Sequence, residues 1–312
     1  MRCGVFTDGL AHLSLANAAA WCASRNAGDL ELGAGGYSPA PHLDVELLLR
    51  DPRARSRLLR SVEQAGCRLS ALNASGNPLH PDPVISGAHD KALRRALRLA
   101  RLLEIETVVA MSGCPGGPGG GLWPVFAGGA WLPDMEGLWE WQWREQISPY
   151  WRELSQWARR ETPAVNICLE LHPGTSIYNP ATFLLLREVT GENVLVNLDP
   201  SHFWWQAIDP VQAITSLSGC IGFAHAKDTT LHPDRVSVNG LLDYLWPSDQ
   251  PAARPWHFSA VGSGHDHAVW RQLIAALHRA GYQGVLSIEH EDPLLSAEDG
   301  ISASLAALAG VL

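Results

Sequence analysis

Hydrophobic and polar positions fall in alternating blocks along this chain. Short apolar runs, rich in β-branched residues or ending in polar ones, recur between longer stretches of helical period. The runs at 3–9, 29–35, 67–73, 107–113, 164–171, 194–199, 221–228 and 284–292 are expected to be strands. Helix candidates lie between them. LSLANAAAWCASRN follows the first run; HDKALRRALRLARLLEI follows the third, with apolar residues at Leu93, Leu97, Ala100 and Leu103. Eight strands alternating with about eight helices predict an α/β fold with a parallel sheet, and eight is the number that closes a (β/α)8 TIM barrel. An open doubly wound sheet is the runner-up, but no GxGxxG follows the first run, so its dinucleotide-binding form lacks the phosphate signal.

Two connections are longer than plain loops, at 114–146 and 229–264, after the fourth and seventh runs. Long loops in compact domains usually serve as lids or binding elements. The first is rich in glycine and carries Trp123, Trp131, Trp139, Trp141 and Trp143. It is expected to be a lid-like insertion burying aromatic surface at the barrel mouth; a rigid packing insert is the alternative.

Composition narrows the picture. A TIM barrel takes about 250 residues, more with insertions, so the 312 residues fit a single domain over 1–312. Hydrophobic residues are 46% and charged residues 18%, enough for a large core and too little charge for disorder. The formal net charge of −9 argues against a nucleic-acid partner. Arg94, Arg95, Arg98 and Arg101 cluster at helical spacing and read as one solvated helix face. Six cysteines, none in a CxxC, read as reduced thiols of a cytoplasmic protein. The start, MRCGVFTDGL, lacks the apolar region of a signal peptide, and no run approaches the ~18 apolar residues of a membrane span.

The chemistry is expected at the strand ends. The fifth run ends in CLELHP with Glu170 and His172, the sixth in NLDPSH with Asp199 and His202. The seventh ends in AHAKD with His225, Lys227 and Asp228, and the eighth in SIEHED with Glu289, His290, Glu291 and Asp292. Apolar strands with ionisable tips place polar groups at the C-terminal face of a barrel. Alternation puts Glu170 with His172, His225 with Lys227, and Glu289 with Glu291 on shared faces. If Glu170, Asp199, His225 and Glu289 converge, three carboxylates and an imidazole meet, and a divalent metal relieves their repulsion. Oxygen-rich ligands with one imidazole suit Mn2+, Mg2+ or Co2+, with Zn2+ possible. Taken alone, His225 reads as a core histidine, and His290, Glu291 and Asp292 as polar strand-end residues. His265 and His267 either contact substrate or cap the next helix, where Asp266 suits the N-cap.

The set LELHP, NLDPSH, HAKD and SIEHED, with HDKALRRALRLARLL, VGSGHDHAVW and AGYQGVLSIEHEDP, resembles the sugar phosphate isomerase/epimerase superfamily of xylose isomerase-like TIM barrels. The resemblance covers nearly the whole chain. It implies one metal, usually Mn2+, on Glu170, Asp199, His225 and Glu289. It also implies that Glu170 and Glu289 flank the substrate as the catalytic acid and base, with His202 near the metal. His172, Lys227, His265 and Trp123 are further expected substrate contacts. The implied activity is a sugar isomerase or epimerase working through an enediolate. A lyase or dehydratase on a keto-sugar, cyclitol or 3-keto-glycoside is the alternative, since both long connections depart from the ketose epimerases. An endonuclease IV-like nuclease needs further ligands after the third and fourth runs, which end at Asn73 and at Ser112 and Gly113. A non-catalytic subunit is the remaining reading. The expected partners are a carbohydrate substrate and further copies of the chain, with a partner subunit as an alternative.

Overall fold

The computed structural model describes residues 1–129, 132–243 and 250–312. Trp131, one of the five tryptophans of the insertion, lies outside them. Ten strands are described: β1 Arg2–Phe6, β2 Asp29–Gly33, β3 Arg68–Asn73, β4 Thr107–Met111, β5 Asn166–Glu170, β6 Val194–Leu198, β7 Ile221–Ala226, β8 Asp228–Leu231, β9 Trp256–Ser259 and β10 Val285–Ile288. Eight of them close a barrel in the order β1-β10-β7-β6-β5-β4-β3-β2. β1 and β10 pair in parallel, as do β4 and β5. This is the expected TIM barrel, and the absence of free edges follows from closure. β8 and β9 form a separate antiparallel pair.

The chain packs as two compact units. The first comprises Met1–Glu31, Arg60–Leu69 and Leu198–Leu312. It holds α1 Leu15–Ala23, α8 Ser201–Trp204, α9 Pro210–Ser216, α10 Pro233–Asn239, α11 His267–Arg279 and α12 Ala297–Ala309. The second comprises Leu32–Leu59 and Ser70–Asn197. It holds α2 Val45–Arg50, α4 Pro83–Leu102, α5 Leu138–Gln142, α6 Ser148–Glu161 and α7 Pro180–Thr190; α3 Pro52–Gln64 spans residues of both.

Local chemistry sets these boundaries. Ser14, Asp82, Asn179, Asp209, Asp266 and Ser296 each accept a backbone N–H at a helix start, satisfying donors that the helix cannot. Proline opens α4, α7 and α9, where its missing N–H costs nothing. On α4, Leu93, Ala96, Leu97, Leu99 and Ala100 form one buried stripe. Its arginines are structural. Arg94 pairs with Asp90 at 3.0 Å and Glu153 at 2.6 Å, Arg95 with Glu46 at 2.5 Å, and Arg94 and Arg98 stand over the Trp157 ring.

The seventh expected strand is split at Lys227, so Asp228 starts β8 and not the tip of β7. β10 stops at Ile288, one residue before Glu289. The insertion at 114–146 contains α5 and runs through a π-helical turn, Trp143–Ile147, into α6. Gln142 is buried and donates from Nε2 to the carbonyls of Gly116 at 3.1 Å and Val125 at 2.9 Å. It ties both ends of the glycine-rich stretch to α5.

All six cysteines are free. Burial pushes the Cys22 thiol up to about 12 and the Cys3 and Cys114 thiols to about 11. Thiolates, not thiols, react with disulfide reagents. The native protein is therefore expected to react slowly with an aromatic disulfide at pH 8, and all six thiols quickly after unfolding in urea. Rapid native titration of Cys22 or Cys114, read by mass spectrometry, would contradict the packing.

Candidate functional site

In the first unit the buried acids come in steps along β2 and the strands beside it. Asp29, at the start of β2, is met by Arg2 Nε at 3.1 Å and by Arg68 Nε and Nη2 at 2.8 and 3.0 Å. Two residues on, Glu31 is fully buried. Its Oε2 accepts a hydrogen bond from Ser287 Oγ at 2.7 Å, and both of its oxygens lie near His225 Nε2, at 3.2 and 3.1 Å. The other nitrogen, His225 Nδ1, stands 3.3 Å from Glu289 Oε2 and 4.0 Å from Asp199 Oδ2. Lys227 Nζ lies 2.5 Å from Glu289, 2.8 Å from Glu291 and 3.1 Å from Asp199. Asp199, His225 and Glu289, three of the expected ligands, are thus brought together with Lys227. His202, on α8, joins them with Nε2 3.4 Å from Asp199 Oδ2.

The charges are unbalanced. Asp199 and Lys227 are both buried and Glu289 is 15% exposed, so two carboxylates share one ammonium that also serves Glu291. Asp199 Oδ1 accepts the Ser201 N–H at 2.9 Å. Its buried Oδ2 accepts no well-formed hydrogen bond, although Lys227 and His202 are near. A buried carboxylate oxygen left in this state is costly, and it suits a bound cation.

In the second unit, Glu170 ends β5 and is 2% exposed. Asn197, directly opposite it on β6, donates from Nδ2 to Glu170 Oε2 at 3.1 Å. His172 lies past the strand end, with Nδ1 2.5 Å from the Pro173 carbonyl oxygen. Its loop is stitched to the tip of β4 by Ser176 N–H to Gly113 O and Ile177 N–H to Ser112 Oγ. Trp123 is 79% exposed. In the same insertion Trp139 stacks on Trp143 at 5.9 Å.

His265 is committed elsewhere. Its ring stacks on Trp204 at 3.9 Å, and its Nδ1 lies 2.7 Å from Asp228 Oδ1. Asp228 is a buried hub. It accepts from the backbone N–H groups of Thr229, Gly262, Gly264 and His265 and from Trp270 Nε1. A Cβ at position 264 would collide with the Thr229 carbonyl, so the glycine of GSGHDH allows this approach. Asp266 caps α11 through Ala268 and Val269, as its position suggests. His267 opens that helix.

Sequence reasoning missed Glu31, Ser287 and Phe258. Glu31 had a signal. The strand DLELG alternates acid and leucine, which reads as one wet face, yet all five residues are buried. In a barrel strand covered on both sides, a polar alternation marks a polar interior. Ser287 and Phe258 carry no comparable mark. Phe258, on β9, lies 4.5 Å from Lys227 Nζ and 5.3 Å from the His202 ring.

The sequence profile of the xylose isomerase-like TIM barrel family matches residues 30–310. An uncharacterized protein, YfiH of Bacillus subtilis (strain 168), is 36% identical over 312 residues, covering 99% of this chain and 98% of that one. Among solved structures, the probable 3-DHS dehydratase AsbF of Bacillus anthracis superposes with a TM-score of 0.67 at 16% identity, covering 99% of each chain. IOLI, solved with a bound zinc atom, gives 0.67 at 17% identity over 100% of this chain and 98% of that one. A D-tagatose 3-epimerase-like protein gives 0.64 at 18%, with the same coverage.

The hub at Asp228 and the cap at Asp266 should separate in a stability measurement. Asp228→Ala strips several buried donors of their acceptor and should cost about 3 kcal/mol or more. Asp266→Ala removes an exposed cap and should cost about 1 kcal/mol. Urea unfolding checks both, and equal costs would sink the assignment of Asp228.

Proposed function

Because the chain belongs to the xylose isomerase-like TIM barrel family, we propose that it is a divalent-metal-dependent sugar isomerase or epimerase that moves a proton next to a substrate carbonyl. One observation carries the reading. Asp199, His225 and Glu289 stand together, with His225 Nδ1 3.3 Å from Glu289 Oε2 and 4.0 Å from Asp199 Oδ2, and with Asp199 Oδ2 buried and short of a well-formed hydrogen bond; Glu170, which ends β5, is the fourth ligand of the reading. Three carboxylates and one imidazole fit Mn2+, with Mg2+, Co2+ or Zn2+ as alternatives; the zinc in IOLI supports a metal without fixing which. We also read residues 1–312 as one domain, since a closed parallel ladder offers no free edge at which to divide it, and as cytoplasmic, since its thiols are free.

Bound there, a divalent ion would polarise the carbonyl and stabilise the charge of an enediolate. The chain's own groups do the rest. Glu289 or Glu170 takes the α-proton, and the other carboxylate returns it on the opposite face. Lys227 orients Glu289 from 2.5 Å and can donate to a substrate oxygen as it gains charge. His202 and His172 would bind hydroxyl groups in this reading. Phe258, beside Lys227 and His202, offers a ring face to the apolar side of a sugar.

A second reading has an observation of its own. The probable 3-DHS dehydratase AsbF shares the fold, with a TM-score of 0.67. The same proton abstraction expels a β-hydroxyl or β-glycosyl group where the substrate carries one. The chain would then act as a lyase on a keto-sugar, cyclitol or 3-keto-glycoside.

The purified protein is expected to hold about one divalent ion per chain, and with Mn2+ to exchange an α-proton of a keto-sugar or cyclitol ketone with deuterated water. Glu289→Gln should lower that exchange by about 10²-fold or more, read by NMR. Full exchange in metal-free protein would falsify the proposal. Loss of a β-substituent faster than exchange would choose the lyase reading.

A further inference from the structure

The proposed chemistry does not use Glu31, yet Glu31 is a fully buried carboxylate aimed at His225. Two strands separate them around the barrel: β2 pairs with β1, β1 with β10, and β10 with β7. The bond therefore crosses the interior and is no neighbour contact on one ladder. His225 Nε2 is nearly equidistant from the two Glu31 oxygens, at 3.1 and 3.2 Å. Ser287, directly opposite His225 on β10, fixes Glu31 Oε2 from 2.7 Å. Thr7 Oγ1 holds the Glu31 backbone carbonyl at 3.2 Å. Phe6, opposite Glu31 on β1, lies nearly parallel to the imidazole, 11° between planes at 6.4 Å. The imidazole is thus held at its edge and along one face, on the side away from Asp199 and Glu289.

We propose that Glu31, braced by Ser287, is a positioning residue that fixes the ring of His225 and holds a hydrogen on Nε2, so that Nδ1 is the nitrogen turned toward Asp199 and Glu289 and the one given to a cation they share. An ionised carboxylate only accepts hydrogen bonds, so Glu31 keeps the hydrogen on Nε2. In neutral imidazole Nδ1 then carries the lone pair, the form a metal ligand needs. The inference rests on the metal reading for its purpose. Without a metal, Glu289 and Asp199 favour a second hydrogen on Nδ1, so the metal-free protein tests the Nε2 hydrogen alone.

The test uses metal-free protein labelled with 15N in its histidine rings, and two variants of similar volume. Glu31→Gln keeps a neutral acceptor; Glu31→Leu removes it. Long-range 1H–15N spectra of the wild type should show His225 protonated at Nε2. Glu31→Leu should shift the ring toward the other tautomer, with Glu31→Gln in between, while thermal unfolding confirms that each variant is folded. Titration with Mn2+ should then show affinity weakened about 10–100-fold in Glu31→Leu and partly restored in Glu31→Gln. A wild type without hydrogen on Nε2, or a Glu31→Leu protein with the wild-type ring state and Mn2+ affinity, overturns the proposal. A wild type with the Nε2 tautomer that binds no metal supports the positioning role of Glu31 and fails the metal-dependent reading alone.

Discussion

Buried negative charge is the constraint around which this barrel is arranged. Moving a carboxylate from water to a protein interior costs several kcal/mol unless partners are supplied. The first unit supplies them one step at a time. Asp29 is met by two arginines, Glu31 by an imidazole and a hydroxyl, and Asp199 and Glu289 by one shared lysine. The match worsens in that order. Asp29 has two full cations, whereas Asp199 and Glu289 must divide Lys227 between them and with Glu291. A chain under selection for stability alone has no reason to leave Asp199 Oδ2 buried and short of a hydrogen bond. The deficit is local, it sits at the strand ends, and it has the sign that a cation relieves.

Much of this was legible because a strand has period two and a barrel strand has apolar company. Glu170 follows NICL and Asp199 follows VLVN. Both were placed correctly near strand ends, because a carboxylate after such a run has no stable place without a partner. The strand boundaries shifted by a residue or two, and the larger surprise followed from that. Reading HAKD as one strand tip put Asp228 among the site residues' neighbours. The break at Lys227 gives it another task, gathering N–H groups from residues 262–265 that lie far along the chain. Nothing in local sequence announces a hub, because most of its partners are backbone groups. His265 illustrates the same blindness. A histidine in GSGHDH reads as a substrate contact or a helix cap, and only the fold shows it stacked on Trp204 and held by Asp228.

Glu31 was hidden for a different reason. Alternating acid and leucine is the ordinary pattern of a strand with one wet face, and DLELG satisfies it. Once eight parallel strands close, neither face of β2 meets solvent, and the acids of that strand must be inside. The same five residues change meaning when the barrel closes. Ser287 cannot be recovered even so, since a buried serine in a strand is common and its only distinction is the position directly opposite His225.

The two long connections differ in what they pack against. The tryptophans of the 114–146 insertion make it the natural place to look for substrate selection. Yet Trp123 is 79% exposed, and Gln142 and the Trp139–Trp143 stack serve the insertion's own packing. The other connection reaches the chemistry directly. Asp228 anchors its first strand beside Lys227, β8 pairs with β9, and β9 carries Phe258 to within 4.5 Å of the Lys227 ammonium and 5.3 Å of the His202 ring. An aromatic face beside an ammonium and an imidazole recognises a molecule with one apolar side and hydroxyl groups at its edge. A rigid anchor makes that recognition selective, because a wall that cannot move rejects what does not fit. Under the proposed function, the β8–β9 pair is therefore the first place to look for substrate selection, because it carries Phe258 to Lys227 and His202.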